Sequence, residues 1–175
     1  MAHAVTYPEK KGQVMLVEMT IKSLMVDPIT NMPIVVLREH EGERVLPIWV
    51  GIFEANAIAI QIENIETPRP MTHDLIRNML IDLNAHVDKI VIANLKGKTF
   101  YASIHIRVDG EDIAIDSRPS DAIAVALRVR APILVDEDVI ENAKTIEFTP
   151  DKANSEQLSK WLEGLPVEEL GKYKM

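Results

Sequence analysis

The chain has no cysteine among its 175 residues. That removes disulfides, thiolate nucleophiles and cysteine-ligated zinc together, and it fits a reducing compartment. Aromatic residues are scarce at 5%, so a core must be assembled from Ile, Val, Leu, Ala and Met. No apolar run approaches the roughly 18 residues of a membrane span, and Met1 to Gln13 holds no apolar stretch of signal-peptide length. The expectation is a cytoplasmic chain that does not enter a membrane. An excess of positive charge is missing too, since the formal net charge is −8. From Phe148 onward five acids face four bases, so that segment supplies only −1 and the acidity belongs to the body of the chain. Nonspecific affinity for nucleic acid comes mainly from Lys and Arg, so any such role needs a local basic patch or a metal ion. A Gly-rich phosphate loop, His-Glu-x-x-His and Gly-x-Ser-x-Gly are absent as well, which disfavours P-loop ATPases, zincins and α/β-hydrolases.

What is present suits one compact domain with short tails. The composition is 47% hydrophobic and 26% charged, enough for a full core without a disulfide or metal. Val14 to Met25 alternates imperfectly and reads as a strand. Pro33 to Arg38 and Arg44 to Val50 form a hairpin across His40-Glu41-Gly42-Glu43. Ile52 to Ile62 is apolar nearly all round, as in a buried helix. After the stiff Glu66-Thr67-Pro68-Arg69-Pro70 loop, Thr72 to Leu83 places Leu75, Ile76, Met79, Leu80 and Leu83 at helical spacing, with Thr72 as N-cap. Strands follow at Val87 to Leu95, Thr99 to Val108 and Asp112 to Asp116, then a helix from about Pro119 to Arg130, a short run Ile133-Leu134-Val135, and a helix from Asp136. Leu158, Trp161, Leu162 and Leu165 mark an amphipathic tail helix that docks on the core or on a partner. The divisions are a leader at 1–13, a domain at 14–147 and a tail at 148–175.

Offsetting the chain by 67 positions lays Glu54-Ala55-Asn56-Ala57-Ile58-Ala59-Ile60 on Asp121-Ala122-Ile123-Ala124-Val125-Ala126-Leu127. The fold class expected from this match is α+β, a duplicated three-strand, two-helix unit (about 14–84 and 86–144) with helices packed on a mainly antiparallel sheet. Alanines at alternate positions let a helix sit close to a sheet. The match would make Glu54 and Asp121 equivalent, each in the first turn of a buried helix.

Three segments can carry chemistry. In Asp116-Ser117-Arg118-Pro119-Ser120-Asp121, Ser117 or Arg118 is the expected N-cap and Pro119 suits the first turn. Free backbone N–H groups there, with Arg118 beside them and Ser117 and Ser120 at hand, can bind phosphate. Asp116 and Asp121 can hold a divalent cation or take a proton. The bland alternative is a capped helix in which Arg118 pairs with Asp116. In Arg69-Pro70-Met71-Thr72-His73-Asp74-Leu75, Arg69 can bind phosphate and His73 can act as acid or base near neutral pH. The alternative there is a surface cap in which His73 bonds Asp74. In Leu46-Pro47-Ile48-Trp49-Val50-Gly51, Trp49 reads as core, and Glu54 just beyond is a lone acid that needs a partner. Arg118 and Arg69 are the candidates.

In this order, the run Leu46 to Gly51 with Glu54-Ala55, the block Arg69 to Leu75 and the block Ile115 to Ala122 resemble the bifunctional nuclease domain family, over roughly Val14 to Lys144. The resemblance implies an α+β fold with a duplicated strand–helix unit and phosphodiester cleavage of RNA and DNA. On that reading Arg118 and Arg69, with Ser117 and Ser120, hold phosphate. His73 serves as acid or base, and Asp116, Asp121 and Glu54 supply carboxylates to a cation such as Mg²⁺. The rival reading is a non-catalytic module that binds a nucleotide or small anion, or that assembles with protein partners or copies of itself. Its Arg-Asp motifs would be a structural network, and its contacts would run through apolar surface or the tail helix.

Overall fold

A computed structural model describes residues 14–27 and 30–143 of the chain; the expected tail helix lies outside them. The elements are β1 (Leu16–Val26), β2 (Pro33–Glu39), β3 (Val45–Trp49), α1 (Ile52–Ile62), α2 (Thr72–Asp82), β4 (His86–Lys96), β5 (Thr99–Val108), β6 (Glu111–Ser117), α3 (Pro119–Val129), β7 (Ile133–Asp136) and α4 (Glu137–Ala143). Among the described residues four helices and seven strands of one mostly antiparallel sheet make an α+β fold. Among the described residues no helix is long and apolar enough to cross a membrane.

The strand order is β3-β2-β1-β7-β4-β5-β6. Two three-stranded meanders therefore spread outward from a short central strand. Local turn chemistry closes the second one: Asp109 and Gly110 both have positive φ, at 52° and 85°, the conformation that a tight hairpin between right-twisted strands requires. β7 is antiparallel to β1 and parallel to β4, so the two meanders run in opposite senses. Each leads into a helix of eleven residues, α1 or α3, and these start 67 residues apart at Ile52 and Pro119. Beyond that point the halves differ. The second inserts β7 at the sheet centre before its last helix, whereas the first passes through a loop into α2.

The main core lies between the sheet and α1, α3 and α4. Leu37, Leu46, Ile48, Ile90, Ile92 and Val135 meet Ala55, Ile58, Ala122, Ile123 and Ile140 there. α3 packs against both α1 and α2, and its alanines at 122, 124 and 126 are fully buried. A smaller cluster of Met25, Ile34 and Val36 takes in Val45 and Trp49. Trp49 at the strand end is half-buried against this cluster and not fully core, with its indole N–H donating to Asp27 at 3.1 Å.

α2 departs from the sequence expectation in two respects. Met71 rather than Thr72 is the N-cap, because the Asp74 carboxylate turns back to accept from the Met71 N–H at 2.9 Å. The spacing of Leu75, Met79 and Leu83 is helical, yet all three are exposed. The only buried residue of the helix is His73.

Candidate functional site

Three helix starts converge through their acids. Glu54 in α1, Asp74 in α2 and Asp121 in α3 each occupy the third helical position, three residues after N-caps Gly51, Met71 and Arg118. An acid there offsets the positive end of the helix dipole and faces the unpaired backbone N–H groups. All three carboxylates also reach a cation or an imidazole on another element or at a helix boundary.

Asp121 is the centre of the group. Its Oδ2 accepts from Arg118 Nε at 2.7 Å, and its Oδ1 accepts from Arg118 Nη2 at 3.1 Å. This two-point geometry is the strong form of the Arg–carboxylate pair. Oδ1 also meets His73 Nε2 at 3.1 Å. Arg118 Nη1 turns to Glu54 Oε1 at 2.7 Å. An unbroken line therefore runs Glu54–Arg118–Asp121–His73 across α1, α3 and α2. Burial pushes the Asp121 carboxyl up, but the hydrogen bonds from Arg118 and His73 and the charges behind them outweigh it and hold it below the ordinary carboxylate value. Arg118 is raised from its ordinary value, first by its hydrogen bond to Asp121 and then by that acid's charge. Asp121, being ionised, can only accept, so the proton of this pair sits on His73 Nε2. Nδ1 has no hydrogen-bond partner among the described residues and is not sealed from solvent. Asp121 thus fixes the ring and its tautomer and leaves Nδ1 to meet a proton donor, as a carboxylate does for a catalytic imidazole.

The third acid makes a separate contact. Asp74 Oδ1 accepts from Arg128 Nε at 2.6 Å. Arg128 Nη1 donates to the carbonyls of Ala57 in α1, at 3.0 Å, and Ala124 in α3, at 2.9 Å. Burial pushes Asp74 up as well, but the Met71 N–H, the Arg128 hydrogen bond and the charges of Arg128 and Arg77 bring it below its ordinary value. Arg128 is not among the residues that the sequence motifs mark. Its signal was available: one cation in an otherwise mainly aliphatic helix, seven residues after Asp121 and so on the same face.

Glu54 finds Arg118, one of its two candidate partners. His73 meets Asp121 and not Asp74, so it is more than a surface cap. The Ser117 hydroxyl donates to the Arg118 carbonyl at 3.0 Å, and Ser120 is buried in the first turn of α3. Arg69 is exposed on the loop before α2 and makes no ion pair among the described residues. Asp116 pairs in register with Ser103. Alternation along β5 puts Ser103 on the sheet face opposite Ala102 and Ile104, which join the core under the helices. Asp116 is therefore on the far face from Asp121, and the two are not brought together. Among the described residues no group of three or more His, Asp or Glu is arranged to hold a metal ion. The carboxylates expected for a cation, Asp116, Asp121 and Glu54, are not gathered into one such group. A cleft of about 570 Å³ lies between β1 and the other end of α3, lined by Thr20, Lys22, Leu24, Leu127 and Arg130, away from the helix starts.

The sheet, the three helix starts and the acid-centred line between them define a single α+β domain. A family model described as the bifunctional nuclease domain matches residues 35–147. An uncharacterised protein of Mycobacterium tuberculosis (strain CDC 1551 / Oshkosh) is 40% identical over 139 residues, covering 79% of this chain and 82% of that one. "Bifunctional nuclease 1" of Oryza sativa subsp. indica is 26% identical over 132 residues, 73% of this chain and 40% of the rice protein. "Bifunctional nuclease 2" of Oryza sativa subsp. japonica is 31% identical over 107 residues, 59% of this chain and 33% of its own length. The chain belongs to the bifunctional nuclease domain family. It spans well under half of the plant relatives whose names carry the activity.

Proposed function

We propose that the chain hydrolyses phosphodiester bonds in RNA or DNA at the Glu54–Arg118–Asp121–His73 line. The observation that carries this reading is the 3.1 Å contact of His73 Nε2 with Asp121, which leaves Nδ1 to take a proton from an attacking water. The proton-bearing imidazole then returns it to the leaving oxygen. Arg118 is 66% exposed at its side chain although it binds two acids, so its outer edge can meet a phosphate oxygen, with Arg69 as a second cation on the loop before α2. Glu54 holds Arg118 in place until phosphate competes for it. The plant relatives' names and the family support this reading. A cation such as Mg²⁺ would have to recruit Asp121 from its present partners.

The test is cleavage of end-labelled single-stranded RNA and DNA, with and without chelator, by wild type and by His73→Ala, Arg118→Ala and Asp121→Ala purified in parallel. Loss of an acid–base group should cost roughly 10²- to 10⁴-fold. Equal cleavage by all four preparations would mark the activity as a contaminant and sink the proposal. One observation favours the assembly reading instead: Nε, Nη1 and Nη2 of Arg118 all already meet carboxylates. That reading gains if wild type binds a nucleotide or inorganic phosphate, or self-associates, but cleaves nothing.

A further inference from the structure

α2 carries His73, yet core packing does little to hold it. Its only buried residue is His73 itself; Leu75, Met79 and Leu83 are exposed, and Ile76 and Leu80 are half-buried without joining either core cluster. A helix so poorly anchored by apolar contacts would leave an imidazole free to wander. Two polar contacts hold it instead, on consecutive residues: His73 to Asp121 and Asp74 to Arg128. Asp121 and Arg128 are seven residues apart on α3, on one face, and so about 10 Å apart along the axis. Two adjacent residues of α2 gripping α3 at points two turns apart fix both the position of α2 and its rotation about its own axis. The second grip is the rigid one. The Arg128 side chain is fully buried, at 0% exposure against 14% for Asp74, and its Nη1 is tied to backbone carbonyls of α1 and α3.

We propose that Arg128 is the positioning residue of the His73–Asp121 pair: by binding Asp74 it locks the rotation of α2 and so aims the imidazole at Asp121. The proposal concerns the geometry of His73. Its consequence for catalysis rests on the nuclease reading above. A buried guanidinium is a costly way to stabilise a fold, since well-packed apolar residues commonly do as well, and Nη2 of Arg128 is buried with no hydrogen-bond partner among the described residues. A role in aiming a neighbouring group accounts for the arrangement.

The experiment uses the full chain and two readouts. The first is the ¹H–¹⁵N signal of His73 Nε2–H, assigned by its absence in His73→Gln. The second is the separation of kcat from KM on single-stranded RNA. Arg128→Lys keeps the cation but loses the fork that joins Asp74 to two carbonyls, and it is the variant of choice where Arg128→Met does not fold. Expected in Arg128→Lys, and again in Asp74→Asn, is loss or displacement of the hydrogen-bonded Nε2–H signal. With it kcat should fall roughly 10- to 100-fold, the scale of a misplaced catalytic group, and KM should stay within about twofold because Arg118 is untouched. A lowered melting temperature with the His73 signal unchanged would overturn the proposal and make Arg128 a structural residue only. If wild type cleaves nothing, the nuclease reading fails, and the His73 signal alone decides the positioning role.

Discussion

Two arginines, one capping the start of α3 and one in its last turn, show how burial sets what an ion pair contributes to stability. Arg118 makes ion pairs with Asp121 and Glu54, but its side chain is 66% exposed, and pairs in such a setting are worth at most about 1 kcal/mol. Arg128 makes one ion pair and is fully buried; removing it strands Asp74, which typically costs 3–5 kcal/mol. Urea unfolding of Arg118→Ala and Arg128→Met should therefore show a loss below about 1 kcal/mol for the first and several-fold more for the second. Comparable losses would show that the surface pairs are less screened than their exposure implies. Gly51 is informative at the same scale. A Cβ there would meet Glu54 Oε2 at 2.1 Å, so Gly51→Ala should move the Glu54 carboxylate off Arg118 and lose the hydrogen-bonded Nη1 signal of Arg118 while leaving the Asp121 pair.

Among the elements, α2 is the one held by charge. Its tie to α3 runs through Asp74, and the Asp121 carboxylate receives His73. Both carboxyls lie below the ordinary value of 3.8 in the folded chain. A carboxyl depressed by folding contributes stability that is fully present above its unfolded value and is lost as pH falls through the folded one. The melting temperature should therefore hold near neutrality and drop as pH falls below about 4. Asp74→Asn should start lower and show a shallower acid limb. An acid limb identical in wild type and Asp74→Asn would show that this carboxylate is not linked to folding. The exposed ridge of Leu75, Met79 and Leu83 behaves in the opposite way. Single changes to Ser there should stay within about 0.5 kcal/mol, whereas Ile123→Ala in the core, at 0% exposure, should cost about 2–5 kcal/mol. Chemical denaturation of the four variants checks both figures.

For the whole molecule, the charge of −8 sets how any nucleic acid can be held. On the reading proposed above, Arg118 and Arg69 are the two cations that would meet phosphate, and single strands lose affinity with salt at a log–log slope of roughly −0.7 per phosphate contacted. Binding of labelled single-stranded DNA by His73→Gln should thus follow a slope near about −1.4. A slope steeper than about −4 would require a basic surface beyond these two residues.

How much of this was legible beforehand depends on the range of the interaction. The limits of α1 and β5, the start of α3 at Pro119 and the Asp109-Gly110 turn follow from the residues themselves. Periodicity, proline and glycine act within a few positions of where they stand. Glu54 stands out as an acid needing a partner because burying an unpaired charge is costly anywhere, and Arg118 is one of two candidates. The tertiary structure decided the rest. It chose Asp121, 48 residues away, as the partner of His73, and it joined Asp74 to Arg128 across 54 residues. It turned Leu75, Met79 and Leu83 outward although their spacing suited a core face, and it put β7 at the centre of the sheet. It also put Asp116 and Asp121 on opposite sides of the sheet, although only four residues of chain lie between them. A strand's side chains alternate between faces, and the next helix starts on one face only, so nearness in sequence does not become nearness in space. Register and helix packing are fixed by burial summed over the whole chain, and no local pattern carries that sum.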